Sequence, residues 1–583
     1  MAASRKATLV VGIDFGTTYS GVSWFVCNGS SPPGQLEVVT LWQTSTDNRW
    51  GNSDSYKVPS KMHYDNNGEL SWGFRTPTGA ETIEWFKLLL LNHEHLQDYL
   101  KDSHPSHLIH TVKLAQGLGK SCVQLVGEYL EVLWNHTLEQ IRKAKGEIIE
   151  GMPFQVILTV PAIWPDDARN RMRDAARMAG IFNYRLAGET TLEFLAEPEA
   201  AAIATLPELD NRGDLRIGDS FVVVDAGGGT VDIISYKING LEPLLVSECV
   251  EGDALCGGAF LDNEFEMFLK CFVGEESWSM MSESDIRRMM NNEWEHGIKK
   301  AFHGEPDYYT VELPNSVQHA PMKFSSNELQ PVFDKIVARI NVLVQGQIIN
   351  IKQKTSQLPR LVILVGGFGQ SPYILKFLKE RLDGRITILQ LPGRQSWTAV
   401  CRGAALSGAW RLGSITREEQ SPVQSRIARL SYGWTMSVNF IHGFHDPRDL
   451  YWCRVRKEWL AANQMQWVIK RGDDISLKMP KTYAYNIVYN AKDQGRGIFE
   501  DAVYTCQDAN PPSRRTDDVH KLSEFTLHTP KALQKYKKVS NKGNSYRIWV
   551  YEVKVSVCGS SFEVTLVSEG VEQKIEKIFV DTD

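Results

Sequence analysis

Cysteine pairs, long apolar runs and a strong charge of either sign are all missing from this chain, and each absence excludes something. Nine cysteines in 583 residues are odd in number and scattered, and none forms a CxxC pair or stands at zinc-ligand spacing. Free thiols in a reducing compartment are therefore the expectation. No apolar stretch approaches the ~18 residues that a membrane-crossing helix needs. The apolar run that follows Arg5 and Lys6 meets Asp14 too early for a signal-peptide core, so a cytoplasmic protein is expected. Lys and Arg number 64 against 70 Asp and Glu, a net charge of −6, too weak for attachment to nucleic acid or an anionic membrane by bulk charge. A hydrophobic share of 42% excludes a mostly disordered chain. At roughly 150 residues per domain the length predicts three or four structural units.

What is present is a pattern used twice. Leu9 to Ile13 is a short apolar run that ends at Asp14-Phe15-Gly16-Thr17-Thr18, and Tyr19 to Phe25 follows as a second strand. Phe221 to Val224 leads into Asp225-Ala226-Gly227-Gly228-Gly229-Thr230, and Val231 to Tyr236 follows. The two aspartates stand 211 residues apart, far beyond any solenoid period, so one domain built twice is the natural reading. Between and after the hairpins, Glu81 to Leu100 and Ser121 to Lys145 read as helices and Phe154 to Val160 as a buried strand. Asp166 to Ala179 reads as a helix offering Met172, Ala176 and Met178 to the core; Leu361 to Val365 is a buried strand, and Pro372 to Leu382 a helix. The mixture predicts α/β lobes. After Leu412 the texture changes: Arg411 to Ser425 is a polar linker, and short β-like runs follow at Leu430–Asn439, Tyr451–Val455, Trp467–Lys470, Tyr546–Val557 and Phe562–Leu566. The basic cluster Lys531, Lys535, Lys537, Lys538 and Lys542 reads as a solvated loop face before it reads as a phosphate contact.

Two Asp-Gly-Thr hairpins facing one another have an obvious chemistry. Glycine lets backbone N–H groups approach phosphate oxygens and threonine hydroxyls add donors, while aspartates at the strand ends hold a hydrated divalent cation. A single such hairpin is commonly just a turn; the duplicate is what carries the signal. These residues resemble the two phosphate motifs of the seventy-kilodalton heat-shock chaperones. Leu364 to Pro372 is similar to the family's adenosine motif, Ile157 to Trp164 and Glu197 to Ala202 to its first connecting segment, and Ala399 to Ala405 to its second. The Gly-Gly-Phe-Gly-Gln-Ser-Pro-Tyr run and the stretch Glu84 to Leu91 resemble the atypical branch of that family in animals and fungi.

The resemblance covers about residues 8–412 and implies the actin-like ATPase fold, two lobes of duplicated ribonuclease-H-like topology, followed by a mainly β C-terminal domain. It sets an ATPase domain at 1–412 (lobe I about 8–219, lobe II about 220–412), a linker at 413–425 and a partner- or peptide-binding β domain at 426–583. It implies ATP and Mg²⁺ as ligands, with Asp14 and Asp225 binding the metal through water and Asp232 helping to hold a monovalent cation such as K⁺. Gly16, Thr17, Thr18, Tyr19 and Gly227, Gly228, Gly229 and Thr230 would cradle the nucleotide, joined by Glu295, Lys299, Gly366, Gly367 and Phe368. Lys87, Glu197 and Asp225 take the catalytic roles, Lys87 near the γ-phosphate and Glu197 on the attacking water. The bland alternative for Lys87 is a lysine on the face of an amphipathic helix.

The sequence also departs from the family. Glu295 and Lys299 are one residue out of the usual spacing, and Ala259 to Asp262 after the Gly257-Gly258 turn lack the acidic pattern. The leucine-rich linker has no counterpart in Arg411 to Ser425, no long helical lid follows the β region, and the usual co-chaperone tail does not end the chain. Weak coupling between nucleotide and C-terminal domain is thus expected. A P-loop at Gly119-Lys120-Ser121 fails because Leu114 stands where glycine is needed, and a dinucleotide fingerprint from Gly367 fails at Pro372. A chaperone-like, slowly hydrolysing ATPase is the leading function and a nucleotide-sensing scaffold the alternative; a small-molecule kinase on this fold is disfavoured.

Overall fold

The structure, a computed structural model, describes residues 7–28, 35–44, 54–77, 79–93, 96, 106–162, 164–210, 212–242, 244–317, 321–412, 422–476, 481–495, 497–529, 531–541, 544–558, 561–568 and 571–574. It divides into two compact units, Met1–Val423 and Gln424–Asp583.

In the first unit the two predicted hairpins nucleate two sheets of the same plan. Strand Thr8–Phe15 pairs antiparallel with Tyr19–Cys27 and parallel with Phe154–Val160, which runs parallel to Thr191–Ala196. Strand Ser220–Ala226 pairs antiparallel with Thr230–Leu241 and parallel with Leu361–Val365, which runs parallel to Thr387–Gln390. In both lobes a further antiparallel strand, Glu37–Val38 or Leu244–Cys256, flanks the hairpin. The central strands are buried almost throughout, as expected of parallel strands covered on both faces. Helix Cys122–Lys145, capped by a Ser121–Gln124 capping box, packs lobe I, and helix Ser326–Thr355 packs lobe II.

Several expectations need correction. Glu81 to Leu100 is not one helix: Ile83–Glu84 is a short strand and Phe86–Leu90 a 3₁₀ turn. Trp85 between them adopts a left-handed backbone at φ 60°, which an α-helix cannot accommodate; residues 97–100 lie outside the described set. Phe86, Lys87, Leu88 and Leu90 are buried together rather than along one stripe, so the amphipathic reading mistook a buried turn for a helix face. Helix Asp166–Met178 forms, but Met178 is exposed while Met172 and Ala176 are buried. Of the expected linker, 413–421 lie outside the described residues, and Val423–Ile427 is already a strand.

The second unit is β-rich. One sheet orders strands Leu450–Cys453, Glu458–Ile469, Ser431–Asn439, Ile498–Cys506 and His520–His528; another orders Lys481–Asn490, Asn544–Cys558, Ser561–Ser568 and Val571–Lys574. Tyr432, Trp434, Val468, Trp549, Tyr551 and Val553 form its core. Lys542 of the basic cluster lies outside the described residues, and Lys531 packs over the Tyr536 ring.

Lobe I also buries a histidine. His136 stacks on Trp42 at 5.2 Å and meets Trp72 edge-on at 5.8 Å. Its Nε2 lies 2.8 Å from the Leu41 carbonyl, which can only accept, so Nε2 carries the proton. Nδ1 is buried without a hydrogen bond among the described residues. Burial holds the imidazole below its ordinary pKa. A lowered folded pKa means that the unfolded state takes up the proton first as pH falls, so the stability contribution is complete above pH ~6.5 and is lost below it. The thermal midpoint of the wild type should therefore drop more between pH 7.5 and 5.5 than that of His136→Phe, as differential scanning calorimetry would show. Parallel pH profiles for the two proteins would refute this assignment.

Candidate functional site

Both hairpin turns open toward each other. A Cβ placed on Gly228 would fall 1.9 Å from Thr18 Oγ1, and one on Gly229 would fall 2.2 Å from Thr17 Oγ1. The two glycine–threonine turns thus meet face to face, and glycine is what allows it. The second turn is tied down by a third: Gly257 N–H donates to the Gly229 carbonyl and Gly258 N–H to that of Gly227. Gly258 in turn faces Phe368, and Gly366, at φ +85°, lies against the Ala226 carbonyl and Asp225. Gly16, Thr17, Thr18, Gly227, Gly228, Gly229, Thr230, Gly366 and Phe368 are therefore brought into one contiguous surface. Gly367 borders Trp397, whose ring meets Tyr19 edge-on at 5.6 Å.

Beneath the turns is a buried charge cluster. Asp225 and Asp232 stand directly opposite on paired strands. Lys87 is 1% exposed, and its Nζ lies 2.5 Å from Glu197 Oε1 and over the Phe15 and Trp164 rings, 5.7 and 5.3 Å from their centroids. It is not a solvated helix-face lysine. Glu197 opens helix Glu197–Asp210 directly after strand Thr191–Ala196, which fixes its place at the strand end. Asp232 accepts from the Ala162 N–H through Oδ1, while Oδ2 is buried with no hydrogen bond among the described residues.

Burial raises Asp225 well above the ordinary carboxylate range, and the nearby Glu197 charge adds to this. Asp232 is pushed up to about 7, by burial first and then by Glu197. Glu197 itself is raised by burial, with Lys87 pulling against it. Glu197 is paired with Lys87, whereas Asp225 and Asp232 have no ion pair among the described residues. Among the described residues no three His, Cys, Asp or Glu side chains converge tightly enough to hold a metal directly. Carboxylate oxygens without a tight cage are donors that would suit a hydrated divalent cation rather than a dry site.

Sequence reasoning missed three residues. Lys57 is buried with its Nζ 2.5 Å from Asp14 Oδ2; burial alone would lower its pKa, but Asp14 reverses that and raises it. No motif marks it beyond its place just before Val58-Pro59-Ser60. Trp397 had no signal except proximity to the Ala399–Ala405 motif. Asp262 was discounted for its altered surroundings, yet it accepts from Trp294 Nε1 at 2.7 Å and pairs with Lys299 at 2.7 Å.

Lys299 also pairs with Glu295 at 2.8 Å. The Glu295 charge, after burial, helps to raise the Tyr19 hydroxyl pKa. Met290–Ile298 is a π-helix, and Lys299, just past its end, meets Glu295 at the i,i+4 spacing of neighbours on one helix face. Buried Trp294 anchors the segment by stacking on Phe265 at 3.9 Å. The P-loop rival is also accounted for: Ser121 is a helix cap and Lys120 pairs with Glu128 at 2.5 Å.

Two duplicated lobes with opposed phosphate-type turns over buried acids define an actin-like nucleotide-binding protein. The model described as "Hsp70 protein" matches residues 128–441, and the chain belongs to the Hsp70 family. A domain of unknown function (DUF8568) matches residues 426–577. The chain is 22% identical to heat shock 70 kDa protein 12A of Mus musculus over 551 residues, covering 78% of this chain and 77% of that protein. It is 22% identical to heat shock 70 kDa protein 12B of Homo sapiens over 550 residues, covering 78% and 76%. Against the mitochondrial-type heat shock protein 70 of Encephalitozoon hellem it is 26% identical over 307 residues, covering 51% of this chain and 46% of that protein. Similarity to the 12A and 12B proteins makes it an atypical member of the family.

The Lys87–Glu197 pair yields a stability prediction. Removing one partner strands the other in a dry site, a loss of about 3–5 kcal/mol for a fully buried pair. Lys87→Met should fall in this range by urea denaturation, and Lys87→Met/Glu197→Gln should recover at least half. A double variant no more stable than Lys87→Met would mean that the pair is not coupled.

Proposed function

We propose that the chain binds ATP with Mg²⁺ between its lobes and hydrolyses it slowly, as a chaperone-like protein of the Hsp70 family. The observation that carries this reading is the pair of glycine–threonine turns, in contact with each other, above buried carboxylates of which Asp225 and Asp232 have no ion pair among the described residues. In this reading residues 1–412 are the ATPase part and 426–583 bind unfolded peptide or a protein partner. Cytoplasm is the compartment, in keeping with the free thiols Cys122, Cys249, Cys271, Cys401, Cys453 and Cys506. Among the described residues no helix is long and apolar enough to cross a membrane.

The turn amides and the Thr17, Thr18 and Thr230 hydroxyls bind the phosphates, with Tyr19, Trp397, Gly366, Gly367 and Phe368 bounding the rest of the nucleotide. Lys87 supplies positive charge where negative charge develops on the transferred group, and Glu197 orients the attacking water. Asp14 and Asp225 would hold a hydrated Mg²⁺, which would supply neutralisation of phosphate charge, and Asp232 would serve a monovalent cation such as K⁺. A second reading, a nucleotide sensor with little hydrolysis, draws support from the hold of Lys57 on Asp14.

Nucleotide binding should raise the thermal midpoint, by stabilisation of about 2.7 kcal/mol at a hundredfold excess of ATP over its dissociation constant. Gly228→Val should abolish the shift; a shift that survives would place the nucleotide elsewhere. For hydrolysis, Lys87→Ala should release phosphate on the order of a hundredfold more slowly than wild type while still binding ATP. Equal single-turnover rates for the two proteins would remove Lys87 from the chemistry.

A further inference from the structure

The two hairpins differ at one position in a way that involves Lys57. Lobe II carries Asp232 directly across from Asp225, whereas lobe I carries Gly21 across from Asp14. A Cβ on Gly21 would lie 3.1 Å from Lys57 Cγ, 3.3 Å from Lys57 Cε and 3.4 Å from Cys401 Sγ. The space that an acid fills in one lobe is thus filled in the other by the stem of a lysine from a different segment. That segment is stitched to the first phosphate turn. Tyr19 and Ser20 pair with Pro59 and Val58, Ser60 N–H donates to the Thr18 carbonyl at 2.8 Å, and Ser60 Oγ donates to the Gly16 carbonyl at 2.7 Å. Lys57 is therefore fixed to the turn that would receive the phosphates.

We propose that Lys57 is a nucleotide-contacting residue whose ammonium transfers from Asp14 to phosphate oxygens, so that nucleotide affinity depends only weakly on Mg²⁺. The inference rests on the nucleotide reading above. An ammonium carries three donors and Asp14 Oδ2 takes one of them. Lys57 pairs with Asp14 and Lys87 with Glu197, and the Lys57 charge also acts on Asp225 and the Lys87 charge on Asp232. Without Lys57 an incoming polyphosphate would meet a more negative site, and a divalent cation would have to overcome that repulsion unaided. A point charge can neutralise phosphate oxygens but cannot bridge them, so its contribution belongs to affinity.

Isothermal titration of the full chain with ATP, in Mg²⁺ and then in EDTA, tests this. Wild type should lose less than about tenfold in affinity on chelation, a change within the range of one close charge pair. Lys57→Met should lose at least tenfold more than wild type does, and Lys57→Arg should follow wild type. Chelation factors for wild type and Lys57→Met that differ by less than tenfold would overturn the role of Lys57 while leaving the nucleotide reading intact. Absence of ATP binding by wild type under both conditions would overturn both. If Lys57→Met does not fold, the wild-type factor decides: below tenfold supports the proposal, and tenfold or more overturns it.

Discussion

Buried negative charge sets the terms for the first unit. Moving a carboxylate out of water costs several kcal/mol even after relaxation, and like charges directly opposite on paired strands repel. Asp225 and Asp232 are in that arrangement, both buried, with Glu197 close enough to raise both. Such a cluster persists only if the backbone cannot relax away from it. Strands Ser220–Ala226 and Leu361–Val365, buried at every position, provide that stiffness. The core is thus less a source of surplus stability than a frame that holds unfavourable charges where a ligand can use them.

Duplication extends the frame across the cleft. Helices Glu197–Asp210 and Ala399–Arg411 cross so closely that a Cβ on Gly403 would lie 1.7 Å from the Ala200 carbonyl oxygen. Glu197 is the first residue of one of these helices, so the place of its carboxylate depends on a backbone contact that only glycine at 403 permits. Ser23 Oγ donates to the Cys401 carbonyl at 2.7 Å, tying the same crossing to the first hairpin. A change at 403 would be felt at the charge cluster without touching it.

Much of this was legible in the sequence because it is local. Strand–turn–strand units announce themselves by an apolar run, Asp-x-Gly and Thr, and both hairpins lie where the pattern put them. Glu197 and the Gly366–Phe368 turn came from motifs of the same compact kind. The failures are tertiary. Lys87 sits in a 3₁₀ turn behind a left-handed Trp85, and apolar spacing cannot distinguish a turn buried on several sides from a helix buried on one. Lys57 is brought to Asp14 by strand pairing across 43 residues, with nothing nearby to mark it. The Glu295–Lys299 spacing was visible as a miscount, but the pairing of Lys299 with both Glu295 and Asp262 required the tertiary structure.

The comparison of the two lobes shows what duplication preserves and what it leaves free. Over five corresponding strands, the order, the strand directions and the position of the leading aspartate are the same in both. The residue across the hairpin is not, being Asp232 in one and Gly21 with the Lys57 stem in the other. In lobe I the aspartate is therefore already paired with a cation, whereas in lobe II two carboxylates face each other and both are raised. Backbone symmetry with charge asymmetry gives the cleft a direction: the unmet demand for positive charge lies on the lobe II side. A cation entering the cleft gains most from Asp225 and Asp232, while the first phosphate turn brings positive charge of its own through Lys57.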